Sequence, residues 1–262
     1  MISKDQNMNE PNFVRGLKKI KYSELDFAET VVVDESQREM RFVLLGSMSE
    51  FRVRTIYTKE PETIEWIKSF SKSDVFLDVG ANIGIYSLYA SVVHDLKVIA
   101  VEPMVSNFYL LSLNLEKNPT ADILPLPIGL SRESKLTKWM PSIAVGDGGN
   151  DIYEASSKSF EMGIQLWALD DLVQAATISA PNHIKLDVDG VECEILEGMV
   201  ETLRMPTMLS VMVEVDESDI DKSERILMIM KDAGFGEPTR RHAPYFDDYY
   251  YLPTINYLFK KP

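Results

Sequence analysis

The sequence predicts an α/β protein: a doubly wound, mostly parallel sheet preceded by an N-terminal extension and closed by a C-terminal antiparallel hairpin. Three observations lead there. From Val75 onward, short apolar runs alternate with helix-period segments, the pattern of parallel strands joined by right-handed crossovers. Those runs are apolar almost without a break, as strands covered on both faces are. Composition agrees, since 262 residues with 45% hydrophobic and 26% charged side chains suffice for a full buried core.

Residues 1–70 form the predicted extension, packing on a main domain of residues 71–262. The first dozen residues are polar and lack the basic start and apolar centre of a secretory signal, so export by that route is not expected. Strands are expected in the extension at 30–33, 40–45 and 52–57. Residues 62–70 read as a helix, because Ile64, Ile67 and Phe70 recur at helical spacing behind Pro61, a residue suited to a first turn.

In the main domain the expected strands are 75–79, 97–101, 123–126, 183–188 and 209–215, with amphipathic helices at 86–93, 106–116, 191–203 and 222–233. Residues 139–160, with Gly146, Gly148 and Gly149, interrupt this rhythm and read as a long loop of the kind that often carries function. The segment 235–259 gathers Tyr245, Phe246, Tyr249, Tyr250, Tyr251 and Tyr257 around Pro244 and Pro253. Its aromatics either pack on a helix layer from a terminal hairpin or form a wall for substrate.

Charge narrows the partners. Lys and Arg number 27 against 41 Asp and Glu, a formal charge of -14, so a phosphate backbone would be repelled and nucleic acid is not an expected partner. The lone cysteine, Cys193, allows no intramolecular disulfide and sits in an apolar helical pattern suited to packing; a reducing cytoplasm fits. The most apolar window, residues 83–93, is interrupted by Gly84 and Ser87 and is shorter than the roughly 18 residues a membrane span needs. Assembly as a homo-oligomer is left open.

The strongest local signal is VFLDVGANIGIYS, Val75 to Ser87: an apolar strand ending near Asp78, a glycine turn, then a helix. In an open parallel sheet ligands bind beyond the carboxyl ends of strands, which puts this turn at the binding crevice. Gly80 and Gly84 let the backbone turn tightly and approach a ligand, while Asn82 offers amide hydrogen bonds. A dinucleotide pyrophosphate would call for G-x-G-x-x-G and no adjacent anion. The turn instead reads G-A-N-I-G behind Asp78, whose carboxylate suits the amino or sulfonium end of S-adenosylmethionine. Glu102 ends the next strand, about 20 residues beyond the turn, where a carboxylate can accept both hydroxyls of an adenosine ribose. Its plainer reading is a cap for the helix near Ser106. Ser87, Asn107 and Gly129 complete the candidate donor set.

These residues resemble the FkbM family of methyltransferases over about 60–215. The likeness rests on EPETIEWI, DVGANIGIYS, the VEP that ends the second strand, the N-x-x-x-N of NLEKN, PIGLS, ALDDL and IKLDVDGVECEILEG, in that order. The resemblance implies a Rossmann-like class I methyltransferase sheet, S-adenosylmethionine as donor, and O-methylation of hydroxyls on sugars, glycans or secondary metabolites. Asp189 stands where such sequences often carry glutamate. The extension, the glycine-rich loop and the tyrosine-rich tail lie outside the resemblance, and acceptor specificity is expected there.

At the strand end formed by 184–189, Asp187 and Asp189 precede Gly190, Glu192 and Glu194. Desolvated carboxylates cost several kcal/mol unless paired, so a cation is expected nearby. Lys185 shares a strand face with Asp187 by period-two alternation. Asp187 is the first choice for the base that takes a hydroxyl proton, with a structural ion pair to Lys185 as the plainer alternative. A competing mechanism places Mg2+ on Asp187 or Asp189 together with Glu214 or Asp216, which end neighbouring strands. His183 starts its strand and is expected to be structural; His94 and His242 show no ligand spacing. Two other classes stay open: a donor-binding subunit without catalysis, and a dehydrogenase, which the missing G-x-G-x-x-G disfavours.

Overall fold

In the computed structural model, which describes residues 14–22, 25–139, 161–188, 190–241 and 254–262, three antiparallel strands come first: β1 (Val14–Tyr22), β2 (Leu25–Val33) and β3 (Glu39–Leu44). Helices α1 (Gly46–Arg54) and α2 (Pro61–Lys68) follow. The main sheet then begins with β4 (Val75–Val79), and α3 (Ile85–Leu88) continues into a π turn at Tyr89–Val93. Next come β5 (Lys97–Val101), α4 (Val105–Lys117) and β6 (Ile123–Leu126). A side sheet is made by β7 (Gly129–Leu130), β8 (Lys135–Trp139) and β9 (Met162–Trp167), before α5 (Leu169–Gln174). The rest is β10 (His183–Leu186), α6 (Glu192–Glu197), α7 (Val200–Arg204), β11 (Ser210–Asp216), α8 (Ile220–Asp232), β12 (Thr239–Arg241) and β13 (Thr254–Lys260).

The main sheet runs β12-β13-β11-β10-β4-β5-β6. β6, β5, β4, β10 and β11 are parallel, and β13 closes antiparallel on β11 with β12 antiparallel beyond it, which is the expected terminal hairpin. Period two sorts the core. Leu77, Val79, Ile99 and Val101 share one face with Leu172, Leu196, Leu203, Ile226 and Met230 of α5 to α8. Phe76 and Val98 join the other face with Trp66, Leu88 and Leu110 of α2, α3 and α4, and with Met40 and Phe42 of β3. Cys193 is buried in the first of these clusters, as its pattern predicts.

Four expectations need correction. Residues 52–57 are not a strand: α1 runs to Arg54, burying Ser49 and Val53 four apart as on a helix, and a turn that buries Ile56 follows. The apparent alternation came from charged residues on the open side. The single helix expected over 191–203 is two, broken at Gly198, which presses on the chain just after β7; a Cβ there would lie 2.0 Å from the Ser131 carbonyl oxygen. Residues 86–93 form one α turn that widens into the π turn rather than a regular helix. Of the loop expected at 139–160, Trp139 is instead the last residue of β8; residues 140–160 lie outside the described residues, as do His242 and Tyr245, Phe246, Tyr249, Tyr250 and Tyr251. Tyr257 packs in the core.

The N-x-x-x-N spacing has a structural explanation. On α4, Asn114 accepts from the Val43 amide at 2.7 Å and donates to the Ile83 carbonyl at 2.8 Å. One turn on, Asn118 accepts from the Arg41 amide at 2.9 Å and donates back to the Arg41 carbonyl at 2.7 Å. The two amides thus stand in for a neighbouring strand along β3 and tie the extension to the glycine turn. Asn114→Ala leaves a buried amide and a buried carbonyl without partners and is expected to lower unfolding free energy by about 2–4 kcal/mol, read from urea midpoints.

Candidate active site

The strand register builds the site. Val101 pairs with Val79, Val79 with Leu186, and Leu186 with Val213. One residue further on, Glu102, Gly80, Asp187 and Glu214 therefore form a row along the carboxyl edge of β5, β4, β10 and β11. Asn256 of β13 stands opposite Glu214. With strands about 4.8 Å apart, the two glutamates at the ends of this row are roughly 14 Å apart. A cavity of about 670 Å³ opens over the row, lined by these residues and by Asn82, Asn107 and Gly129. That is within the roughly 300–1,000 Å³ of small-molecule and cofactor clefts.

Glu102 is buried at the cavity wall, with Oε2 accepting from the Asn82 amide at 2.7 Å and Oε1 from the Met104 amide at 2.8 Å. Burial pushes its pKa up to about 7, because two amides only partly replace the lost water. Each oxygen keeps a second lone pair. A vicinal diol delivering two O–H groups fits such a carboxylate. Asn82 adopts a left-handed backbone at φ 52, which turns its amide onto Glu102.

The glycine turn packs closely on its neighbours. Gly80 sits at φ +83 where a Cβ would lie 2.0 Å from the Asp187 carbonyl oxygen, so its close approach is to β10. Gly84, at φ +87, lets α3 pack on Leu111, and it does not line the cavity. Asp78 and Ser87 are also removed from the cavity wall: Asp78 is 2% exposed and accepts from the Ser87 hydroxyl at 2.6 Å. The expectation that Asp78 meets the donor's cationic end draws no support from this placement. Alternation along β4 turns its side chain under the sheet, toward Lys185, instead of out over the edge.

Lys185 and Asp187 do form an ion pair. Lys185 is 2% exposed, lies 3.8 Å from Glu60 Oε2, and sits 4.9 Å above the Tyr86 ring. Burial acts to lower the Lys185 pKa, yet Asp187, Glu60 and Asp78 outweigh it and hold the ammonium charged. Burial likewise acts to raise Asp187, but Lys185 and then Lys59 keep it far below the usual carboxylate range. Lys59 also bridges to Glu60 at 3.0 Å. Sequence reading missed Lys59, Glu60 and Arg52 as cavity residues. The available signal was the charged pair directly ahead of Pro61.

Glu214 behaves differently. Asp187 first, then burial and Glu60, push its pKa up to about 8. The metal reading gains no support: Asp189 lies outside the described residues, Asp187 is matched by lysines, and Asp216 accepts from the amide and hydroxyl of Ser218 in the turn after β11. Among the described residues no group of three or more His, Cys, Asp or Glu is arranged to hold an ion. His183 is structural, its ring stacked on Phe70 and bonded to Ser210 and Asp74 at the opposite edge of the sheet. No helix among the described residues is long and apolar enough to cross a membrane.

Comparison with known proteins places the chain in a family. A model of the methyltransferase FkbM domain matches residues 78–236, more than half of the chain. The hexuronic acid methyltransferase AglP of Haloferax volcanii is 28% identical over 194 residues, which is 73% of this chain and 78% of that protein. Among solved structures, methyltransferase FkbM from Methylobacillus flagellatus KT aligns with a TM-score of 0.50 at 22% identity. That match covers 72% of this chain but only 44% of the other, and is a likeness of fold.

Proposed function

Because the chain belongs to the FkbM family of S-adenosylmethionine-dependent methyltransferases, we propose that it O-methylates a hydroxyl of a sugar, a glycan or a related secondary metabolite. The observation that carries the donor half is Glu102, a buried carboxylate facing the cavity with one lone pair on each oxygen left for a ribose diol. Asn82, Asn107 and Gly129 flank it on the cavity wall, with Gly80 at the floor. The donor supplies an electrophilic methyl group on a sulfonium. The chain's own part is to hold both reactants in line, exclude water and receive the hydroxyl proton.

Two features support a sugar-class acceptor. A relative sharing 28% identity is a hexuronic acid methyltransferase. Beyond the carboxylate row, the cavity wall carries Trp139, Thr137, Asn256 and Arg241, an aromatic face among hydrogen-bonding groups of the kind that suits a polyol ring. The test is incubation with methyl-labelled donor and a panel of hexuronic acids, neutral sugars, glycans and hydroxylated metabolites, read by mass spectrometry. Label on a sugar hydroxyl oxygen supports the reading. Label on nitrogen or on a carboxyl group contradicts it, and donor binding with no transfer to any acceptor favours a catalytically inactive donor-binding subunit.

A further inference from the structure

We propose that Glu214 is the base that takes the proton from the acceptor hydroxyl, while the ion pair of Asp187 and Lys185 positions and tunes it. This rests on the methyl-transfer reading above. Asp187 and Glu214 stand side by side one step beyond the Leu186 and Val213 pair, and both line the cavity. Their surroundings differ. Asp187 is bound by the buried Lys185 ammonium, with Lys59 close behind. Glu214 makes no hydrogen bond or ion pair with another described residue and is open to the cavity at the end of the row away from Glu102.

Two neighbouring carboxylates whose surroundings drive their pKa values apart divide the work between them. Asp187 stays ionised and holds so weak a basicity that it is a poor proton acceptor. Its charge in turn raises the proton affinity of Glu214 into the range where a base is effective near neutral pH. The groups facing Glu214 are Lys185 of β10 and Asp187 just beyond it, Lys59 and Glu60 just ahead of α2, Glu62 within it, Arg241 of β12 and the neutral Asn256 of β13. Asn256 donates to Glu62 at 3.0 Å, which leaves Glu214 to the cavity. In the transfer, a lone pair of the acceptor oxygen forms the new C–O bond as the S–CH3 bond breaks, its electron pair remaining on sulfur as a neutral thioether. The O–H proton moves to the Glu214 carboxylate and is then released to solvent.

Two measurements on the full-length protein test this. At saturating donor, kcat/KM for the acceptor is expected to rise with pH along a limb whose midpoint is no higher than about 8, since a cation bound nearby favours the carboxylate. Glu214→Gln is expected to lower kcat by about 10²–10⁴-fold and to flatten that limb, and Glu214→Asp to keep the limb at a reduced rate. The second measurement needs neither donor nor acceptor. A carboxyl whose folded pKa of about 8 exceeds its ordinary 4.5 contributes stability that is full below pH 4.5 and lost as pH rises through about 8. Melting temperature should therefore fall less steeply over that window in Glu214→Gln than in wild type. Wild-type transfer with an unchanged rate and pH limb in Glu214→Gln overturns the proposal and leaves the function standing, as does a pH dependence of melting that the substitution does not alter. Failure of the wild type to methylate any hydroxyl overturns both.

Discussion

S-adenosylmethionine is expected to raise the melting temperature of the wild-type protein, and Glu102→Ala to erase most of that gain. A ligand at 100 times its dissociation constant stabilises by about 2.7 kcal/mol, so the shift is readily measured. Removing two hydrogen bonds to an ionised carboxylate costs about 3 kcal/mol or more, a loss of roughly two orders of magnitude in donor affinity. Glu102→Gln keeps an acceptor oxygen and the packing, and should fall between. The pH dependence has a definite sign. Ribose hydroxyls donate to the ionised form, and burial has pushed the Glu102 carboxyl up to about 7, so donor affinity should weaken as pH falls below that value. Affinity unchanged in Glu102→Ala would remove this residue from the donor site.

Lys185→Met is expected to be the most damaging single change to stability. The ammonium is enclosed by Asp187, Glu60 and Asp78, and its loss would leave buried anions without a partner. Breaking a buried pair in this way typically costs roughly 3–5 kcal/mol. The double variant Lys185→Met with Asp187→Asn removes one of the stranded charges and should recover part of the loss, a coupling read by a double-mutant cycle in urea. If the single and double changes are additive, the ion pair does not hold this part of the sheet. Asp187→Asn alone strands Lys185 only in part, because Glu60 remains 3.8 Å away.

Much of the architecture is legible in the sequence because parallel strands buried on both faces leave an unmistakable apolar signature. Val75–Val79 and Lys97–Val101 are expected and found with the same bounds. The extension is harder to read. In α1, helical burial of Ser49 and Val53 is masked by Arg52 and Arg54, whose charged side chains imitate period two. The side sheet of β7, β8 and β9 is unread because its members are short, and β8 and β9 are mostly half-buried or exposed and so lack the continuous apolar signature of the main strands.

The candidate site divides in the same way. Residue type and strand end suffice to find Glu102, Asp187 and the Lys185 ion pair, since each follows from alternation and position along one strand. What decides whether Asp78, Gly84 and Ser87 line the cavity is which way a side chain turns at the strand end. That depends on packing between elements, here on Leu111 behind Gly84 and on the Ser87 hydroxyl over Asp78. Lys59 and Glu60 enter from the extension, far from the motif in sequence, and only the folded chain brings them to Asp187. The contrast between Asp187 and Glu214 is likewise a property of the row and of the cations behind it.

The most direct measurement of the central claim is a structure of the protein with S-adenosylhomocysteine. The nucleoside is expected over the row with both ribose hydroxyls within hydrogen-bonding distance of the Glu102 carboxylate, and with the sulfur directed along the edge toward Asp187 and Glu214. A nucleoside bound elsewhere, or one whose ribose does not reach Glu102, would contradict it.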